Sequence, residues 1–102
     1  MTDQPLIETT QDAITSCPSC LEGPVTLRTI RKWSKANNKW SCLTCYDATT
    51  ARWMAEAGLP TMLVGDTAAE MILGFDSTIH APLDFLILLT AAVKRGAPNV
   101  FV

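Results

Sequence analysis

The hexapeptide TMLVGD (residues 61–66) is a short, continuous apolar run that stops at a glycine and an aspartate. A run of this length, closed by turn-forming residues, is typical of a strand that is buried on both faces, as strands are in parallel sheets. We therefore predict a buried parallel strand at 61–66, which requires partner strands elsewhere in the chain.

The segments on both sides of this run alternate between helix and strand. The predicted elements are a helix at 26–37, a strand at 39–46, a helix at 48–57, the strand at 61–66, a helix at 83–95 and a strand at 99–102. Asp47 is placed to cap the second helix and Gly58 to end it. Strands that alternate with helices pair in parallel through right-handed crossovers. The sequence therefore predicts an α/β fold, although three strands alone leave both sheet edges open.

The helix predicted at 83–95 contains five consecutive large apolar residues, FLILL at 85–89. A helix that is apolar on every side is typical of burial between layers or between subunits. We therefore expect this helix to be covered on more than one side.

The composition is that of a folded protein. Of the 102 residues, 48% are hydrophobic and 18% are charged, which is too apolar for a chain that is disordered throughout. The length allows one small domain or part of a larger one. The net charge of −2 provides no global attraction to nucleic acid or to an anionic membrane. We expect neither as a partner.

The N-terminal 24 residues differ from the rest, and we predict a polar, mobile leader at 1–24 before a domain at 25–102. The leader has no apolar core of the kind that a secretory signal requires. The longest apolar run, residues 81–93, is interrupted by Asp84 and falls short of the ~20 residues that a bilayer crossing needs. We therefore expect a cytoplasmic protein with reduced cysteines.

Basic residues are concentrated in the first predicted helix and just after it. This cluster consists of Arg28, Arg31, Lys32, Lys35 and Lys39. A solvated helix face is the favoured interpretation, and a phosphate-binding patch is the alternative.

Four cysteines form two Cys-x-x-Cys pairs, Cys17 with Cys20 and Cys42 with Cys45, separated by 21 residues. Four converging thiolates would make a small zinc-binding module, although this separation lies just outside the usual spacing. The second pair falls in a predicted strand, where residues three apart point to opposite faces. Free thiols are therefore favoured, and the zinc module stays open as an alternative.

Several motifs occur in order over residues 43–66 (LTCYDATTARWMAEAGLPTMLVGD) and 73–99 (LGFDSTIHAPLDFLILLTAAVKRGAPN). They resemble the N-terminal third of ketopantoate hydroxymethyltransferases, whose pattern reads L-T-A-Y-D, A-x-x-A-G, L-V-G-D-S-L-G, G-x-D-S-T and H-T-x-A-V-x-R-G-A-P. The helix at 26–37 resembles the helix that precedes the first strand of that family. The resemblance covers the chain from about residue 26 to its end.

The resemblance implies a (βα)₈ TIM barrel, typically of about 250 residues. This chain would supply the leading helix, two βα units and the third strand, so we expect a truncated N-terminal portion. Members of the family transfer a hydroxymethyl group from methylene-tetrahydrofolate to 3-methyl-2-oxobutanoate. The product is 2-dehydropantoate (ketopantoate), on the route to pantothenate and coenzyme A. The family uses Mg²⁺ and forms decamers, so a homo-oligomer is expected.

The resemblance also assigns site residues. Asp66 matches the family aspartate that binds Mg²⁺ and contacts the keto acid, and Thr67 stands where the family has a substrate-contacting serine. The second Mg²⁺ contact and the catalytic base would lie beyond Val102, so we expect the 102 residues alone to be inactive. The chain departs from the family pattern at 67–70 (TAAE in place of S-L-G-M), at Leu89 in place of histidine and at His80 in place of proline.

Two other functions stay open beside this one. The first is the four-cysteine zinc module. The second is a non-catalytic partner whose helix at 83–93 docks onto another barrel, and it predicts an exposed apolar patch.

Overall fold

Two short parallel strands, connected through one helix, form the centre of the fold. The computed structural model describes residues 23–102, so Cys17, Cys20 and the predicted leader up to residue 22 lie outside the described residues. The described elements are α1 (Leu27–Lys35), β1 (Cys42–Thr44), α2 (Ala48–Glu56), β2 (Thr61–Leu63), α3 (Ala68–Met71), a 3₁₀ turn (Thr78–His80) and α4 (Leu83–Gly96).

The sheet is parallel and follows the order of the chain. Cys42, Leu43 and Thr44 of β1 lie opposite Thr61, Met62 and Leu63 of β2. On the other side of β2, Phe101 forms a parallel bridge with Thr61. There the Met62 N–H donates to the Phe101 carbonyl at 2.9 Å, and the Phe101 N–H donates to the Pro60 carbonyl at 3.0 Å. The predicted α/β fold with parallel strands is confirmed, with the third strand reduced to this bridge.

The helix starts follow the capping residues in the sequence. Asp47 Oδ2 accepts a hydrogen bond from the Thr50 N–H at 2.8 Å, which satisfies one of the unpaired donors of the first turn of α2. The helix ends before Gly58, whose φ of 94° is a conformation that glycine adopts without strain. Both capping predictions are confirmed.

The core lies between the sheet and the pair of helices α2 and α4. Its buried members are Cys45, Ala51, Met62, Val93, Ala97 and Val100. Small residues dominate this set, so the two helices approach each other and the strands closely. None of the helices within residues 23–102 has the length and apolarity that a membrane crossing requires.

Three sequence predictions are wrong in detail. The strand at 61–66 is shorter than predicted, and Leu63 is 54% exposed rather than buried, because within residues 23–102 too few elements cover that side of β2. The stretch between the strand at 61–66 and the helix at 83–95, for which no helix or strand is predicted, contains α3 and the 3₁₀ turn.

The third error concerns α4, for which we expected burial on several sides. Val93 is its buried residue, whereas Leu83 is 70% and Leu88 67% exposed. Because α2 covers one side of α4 and the described part of the chain leaves much of its other side to solvent, this helix is only partly covered here.

Candidate functional site

The ends of β1 and β2 bring two short polar segments to one edge of the sheet. Because the strands are parallel, the residues that follow each of them emerge on the same side. Tyr46 and Asp47 follow β1, and Asp66 and Thr67 follow β2. In open and closed α/β sheets, this carboxyl edge is where ligands bind.

A hydrogen bond joins the two segments directly. The phenolic oxygen of Tyr46 lies 2.6 Å from Oγ1 of Thr67, although the residues are 21 apart in sequence. The backbone near Tyr46 is held on both sides, since the Cys45 N–H donates to the Leu63 carbonyl at 3.1 Å and Asp47 caps α2. The pair therefore fixes the spacing of the two loops at this edge.

Thr67 opens α3 but does not cap it with its side chain. Its φ of −58° and ψ of −14° are helical, and its hydroxyl makes no capping hydrogen bond. Threonine in this position commonly uses the hydroxyl to satisfy the first N–H groups of the helix. Here the hydroxyl instead contacts Tyr46 and is exposed toward the edge of the sheet.

Asp66 is exposed beside this pair. Its backbone carbonyl accepts from the Ala69 N–H at 3.0 Å, which holds the loop in a turn. Its carboxylate forms no hydrogen bond or ion pair with other residues of the described range 23–102. The carboxylate is therefore available to a ligand.

The departure from the family pattern at 68–70 has a simple structural result. Ala68 and Ala69, the first two residues of α3, are completely buried, and Glu70 is exposed to solvent. Alanine is the best helix former, so a short helical turn at this point is consistent with its sequence. Glu70 lies outside the contact between Tyr46 and Thr67.

This edge of the sheet offers Mg²⁺ one protein ligand and not a complete coordination shell. Mg²⁺ prefers hard oxygen ligands and usually keeps several waters while using one or two carboxylates. Asp66 supplies one such carboxylate. Within residues 23–102, no group of three or more histidine, cysteine, aspartate or glutamate side chains lies close enough together to hold a metal.

The two thiols of the second cysteine pair lie in different environments. Cys42 is exposed, whereas Cys45 is 2% exposed and its thiol donates to the Asp47 carbonyl at 3.4 Å. The two thiols differ in exposure, and Cys45 lies just after β1, so the prediction that a strand separates them stays a prediction. Cys17 and Cys20 lie outside the described residues, so the four-cysteine arrangement itself stays a hypothesis.

His80 and Asp47 are two other titratable groups, and each has contacts of its own. His80 faces Asp76, with Nε2 and Oδ1 3.9 Å apart, and its ring lies 5.5 Å from that of Phe75. The hydrogen bond from the Thr50 backbone N–H lowers the pKa of the Asp47 carboxyl below its usual value. Asp47 therefore acts as a helix cap.

Sequence reasoning did not identify Tyr46 as a site residue. The signal was present, because Tyr46 follows a predicted strand parallel to the one that precedes Asp66. Residues after neighbouring parallel strands share one edge, so this tyrosine could have been placed near Asp66.

The comparisons with known proteins agree with the motifs. Residues 24–102 match the sequence profile of the family described as ketopantoate hydroxymethyltransferase. A 3-methyl-2-oxobutanoate hydroxymethyltransferase of Mycobacterium marinum is 44% identical over 90 residues, which cover 85% of this chain and 30% of the relative. That of Mycobacterium tuberculosis is 46% identical over 73 residues, which cover 72% of this chain and 26% of the relative. The chain thus spans less than a third of the length of these relatives.

Proposed function

The chain belongs to the ketopantoate hydroxymethyltransferase family, and we propose that it forms the keto-acid-binding N-terminal portion of such an enzyme. The reaction would transfer a hydroxymethyl group from methylene-tetrahydrofolate to 3-methyl-2-oxobutanoate and yield 2-dehydropantoate. Residues 25–102 would form the leading helix, the first two βα units and the third strand of a TIM barrel, with residues 1–24 as a polar leader.

The observation that carries this proposal is the position of Asp66 and Thr67. They lie three and four residues after the end of β2, and Thr67 contacts Tyr46 from the loop after β1. In a TIM barrel the chemistry occurs at the carboxyl ends of the strands. An exposed carboxylate and an exposed hydroxyl at that edge are the groups that a metal-bound keto acid requires.

Each residue would have a distinct role. The Asp66 carboxylate would bind Mg²⁺, and the Thr67 hydroxyl would donate a hydrogen bond to the carboxylate of the keto acid. The metal would supply Lewis-acid polarisation of the keto oxygen, which makes the adjacent carbon more acidic. The Asp66 carboxylate would keep Mg²⁺ at this edge of the sheet, and the Thr67 hydroxyl would orient the keto acid toward the metal.

The rest of the machinery would come from outside these residues. One carboxylate holds Mg²⁺ weakly, so a second metal contact and the catalytic base would be supplied by further barrel strands. We accordingly propose that the 102 residues alone are inactive, and that the working enzyme is a cytoplasmic homo-oligomer, a decamer as in the family.

The test requires the complete barrel. A fusion protein would continue the 102-residue chain with the part of the M. marinum enzyme that follows its matched segment. Isothermal titration would measure 3-methyl-2-oxobutanoate binding with and without Mg²⁺. Far-UV circular dichroism and sedimentation would check the fold of the fusion protein against the M. marinum enzyme.

The decisive variant is Asp66→Asn, and Asp76→Asn is its control because Asp76 is a carboxylate that is 95% exposed in a separate loop. We expect Mg²⁺-dependent binding that Asp66→Asn abolishes and Asp76→Asn leaves unchanged. Equal keto-acid affinity in the folded wild-type fusion protein and in both variants would refute the assignment of Asp66.

The exposed apolar side of α4 favours a second candidate, a non-catalytic partner that docks on another barrel. Leu83, Ile87 and Leu88 are each more than half exposed. This role predicts that the chain associates with a complete family enzyme regardless of Asp66. Sedimentation of the 102-residue chain mixed with the M. marinum enzyme would detect the complex, and sedimentation at the unmixed rates would exclude it.

A further inference from the structure

We propose that Tyr46 is a positioning residue that fixes the direction in which the Thr67 hydroxyl donates its hydrogen. This inference rests on the proposed function and assigns a role to a residue outside the metal-binding and substrate-binding pair. Its basis is the 2.6 Å separation between the phenolic oxygen of Tyr46 and Oγ1 of Thr67.

A hydroxyl has one hydrogen to donate and two lone pairs to accept with. If Thr67 donated to Tyr46, it would present only lone pairs to the carboxylate of a keto acid, and the two would repel each other. If Tyr46 donates to Thr67, the threonine hydrogen is free for the ligand. A bound carboxylate therefore favours the arrangement in which Tyr46 donates its hydrogen to Thr67 and Thr67 donates its hydrogen to the ligand.

The surroundings of Thr67 support this order. Its hydroxyl does not cap α3, so the N–H groups of that helix do not compete for its lone pairs. Within residues 23–102, Tyr46 is the hydrogen-bond partner of that hydroxyl. Hydrogen bonds in a chain polarise one another, so a phenol that donates to Thr67 makes the threonine a better donor.

Tyr46 is also well placed to hold a fixed orientation. It is partly buried, and the residue before it is tied to β2 through the hydrogen bond from the Cys45 N–H to the Leu63 carbonyl. The residue after it caps α2. A phenol held in this way fixes one side-chain rotamer of Thr67, which would otherwise turn freely at the exposed edge.

The first measurement uses the 102-residue chain without ligand. Three-bond NMR couplings from the Thr67 methyl carbon to the backbone nitrogen and carbonyl carbon report its χ1 rotamer. We expect one rotamer in the wild type and averaged couplings in Tyr46→Phe, which removes only the hydroxyl. Identical couplings in both proteins would overturn the inference whatever the chain binds.

The second measurement uses the fusion protein that continues this chain with the M. marinum sequence. We expect Tyr46→Phe to weaken keto acid binding about fivefold, the usual effect of one lost hydrogen bond, and to raise KM more than it lowers kcat. In a Thr67→Ala background the same change should have no further effect, whereas in Thr67→Ser the dependence on Tyr46 should persist. A purely structural contact would instead lower the melting temperature and leave the affinity unchanged.

The outcomes separate the two proposals. A folded wild-type fusion protein that binds no keto acid overturns the proposed function, and the positioning role with it. A fusion protein that binds the keto acid with equal affinity with and without the Tyr46 hydroxyl overturns the positioning role alone. An equal loss from Tyr46→Phe in the Thr67→Ala background would also overturn it, because the phenol would then act independently of Thr67.

Discussion

Gly96, the last residue of α4, lies directly against the backbone of Ala48, the first residue of α2. A Cβ at Gly96 would lie 2.8 Å from the Ala48 Cα, a separation that real Cβ atoms do not adopt. The contact lets the two helices pack closely beside the core residues Val93 and Ala97. Glycine is required at this position by the approach of two backbones.

We predict that Gly96→Ala strongly destabilises the protein. Inserting a methyl group into a closely packed contact costs about 1–3 kcal/mol, and here neither backbone can move without shifting a helix. For a domain of this size, each kcal/mol lowers the melting temperature by roughly 4–8 °C. Thermal unfolding followed by circular dichroism measures the change.

Gly65→Ala is the matched control for this prediction. Its Cβ would lie 3.5 Å from Oγ1 of Thr67, which is an ordinary van der Waals contact. We expect its melting temperature to stay within a few degrees of the wild type, by the same scale. Equal melting temperatures for the Gly96→Ala and Gly65→Ala variants would contradict the close helix contact.

The cap at Asp47 should make part of the stability depend on pH. The hydrogen bond from Thr50 lowers the pKa of this carboxyl below its ordinary value of 3.8. Because the folded-state pKa is the lower one, the stabilisation is complete above the unfolded-state pKa and is lost as the pH falls through the folded-state pKa. We expect Asp47→Ala to cost about 1 kcal/mol at pH 7 and progressively less as the pH falls through the lowered folded-state pKa of Asp47.

The Asp47→Asn variant removes the negative charge but keeps a side chain that can cap α2. Asparagine caps a helix nearly as well as aspartate but does not titrate. The stability of this variant, measured by urea unfolding between pH 2 and 7, should therefore lack the part of the pH dependence that the wild type owes to residue 47. An unchanged pH profile would show that the Asp47 carboxylate is not coupled to folding.

The two described cysteines should respond differently to substitution. Cys45 is buried in the core and Cys42 is exposed. We predict that Cys45→Ser destabilises by roughly 1–3 kcal/mol, because it replaces a sulfur packed in the core with a smaller and more strongly hydrated hydroxyl, whereas Cys42→Ser changes stability by less than about 0.5 kcal/mol. Urea unfolding checks both values.

A zinc module would make the Cys42 and Cys45 substitutions similarly destabilising. Both substitutions would then remove a metal ligand, and a chelator would unfold the wild type. Equal losses of stability in the two variants, together with stoichiometric zinc by mass spectrometry under native conditions, would favour the four-cysteine alternative over free thiols.

Much of the fold follows from local patterns, and the parts that do not follow depend on distant residues. The alternation around TMLVGD, the cap at Asp47 and the stop at Gly58 are local and predict the order of helices and strands. The stretch that forms α3 is too short to show a helical period. Exposure of Leu63 and Leu88 depends on which layers cover them, and a short sequence window does not contain that information.

The candidate site divides in the same way. Asp66 and Thr67 are assigned by the resemblance of the residues around TMLVGD to a family motif, and their role as site residues stays a prediction. The contact of Thr67 with Tyr46 spans 21 residues and depends on the parallel pairing of two strands. The direction of this hydrogen bond is inferred from two facts, that the Thr67 hydroxyl does not cap α3 and that the proposed ligand is a carboxylate. A residue pattern contains neither.

The most direct test of the central claim is product formation by the fusion protein that completes this chain. Given 3-methyl-2-oxobutanoate, methylene-tetrahydrofolate and Mg²⁺, it should form 2-dehydropantoate, detected by mass spectrometry, and Asp66→Asn should reduce the rate at least about 100-fold. An effect of this size corresponds to roughly 2.7 kcal/mol of lost transition-state stabilisation. A folded fusion protein that forms no product, or an Asp66→Asn variant that forms it at the wild-type rate, would contradict the proposal.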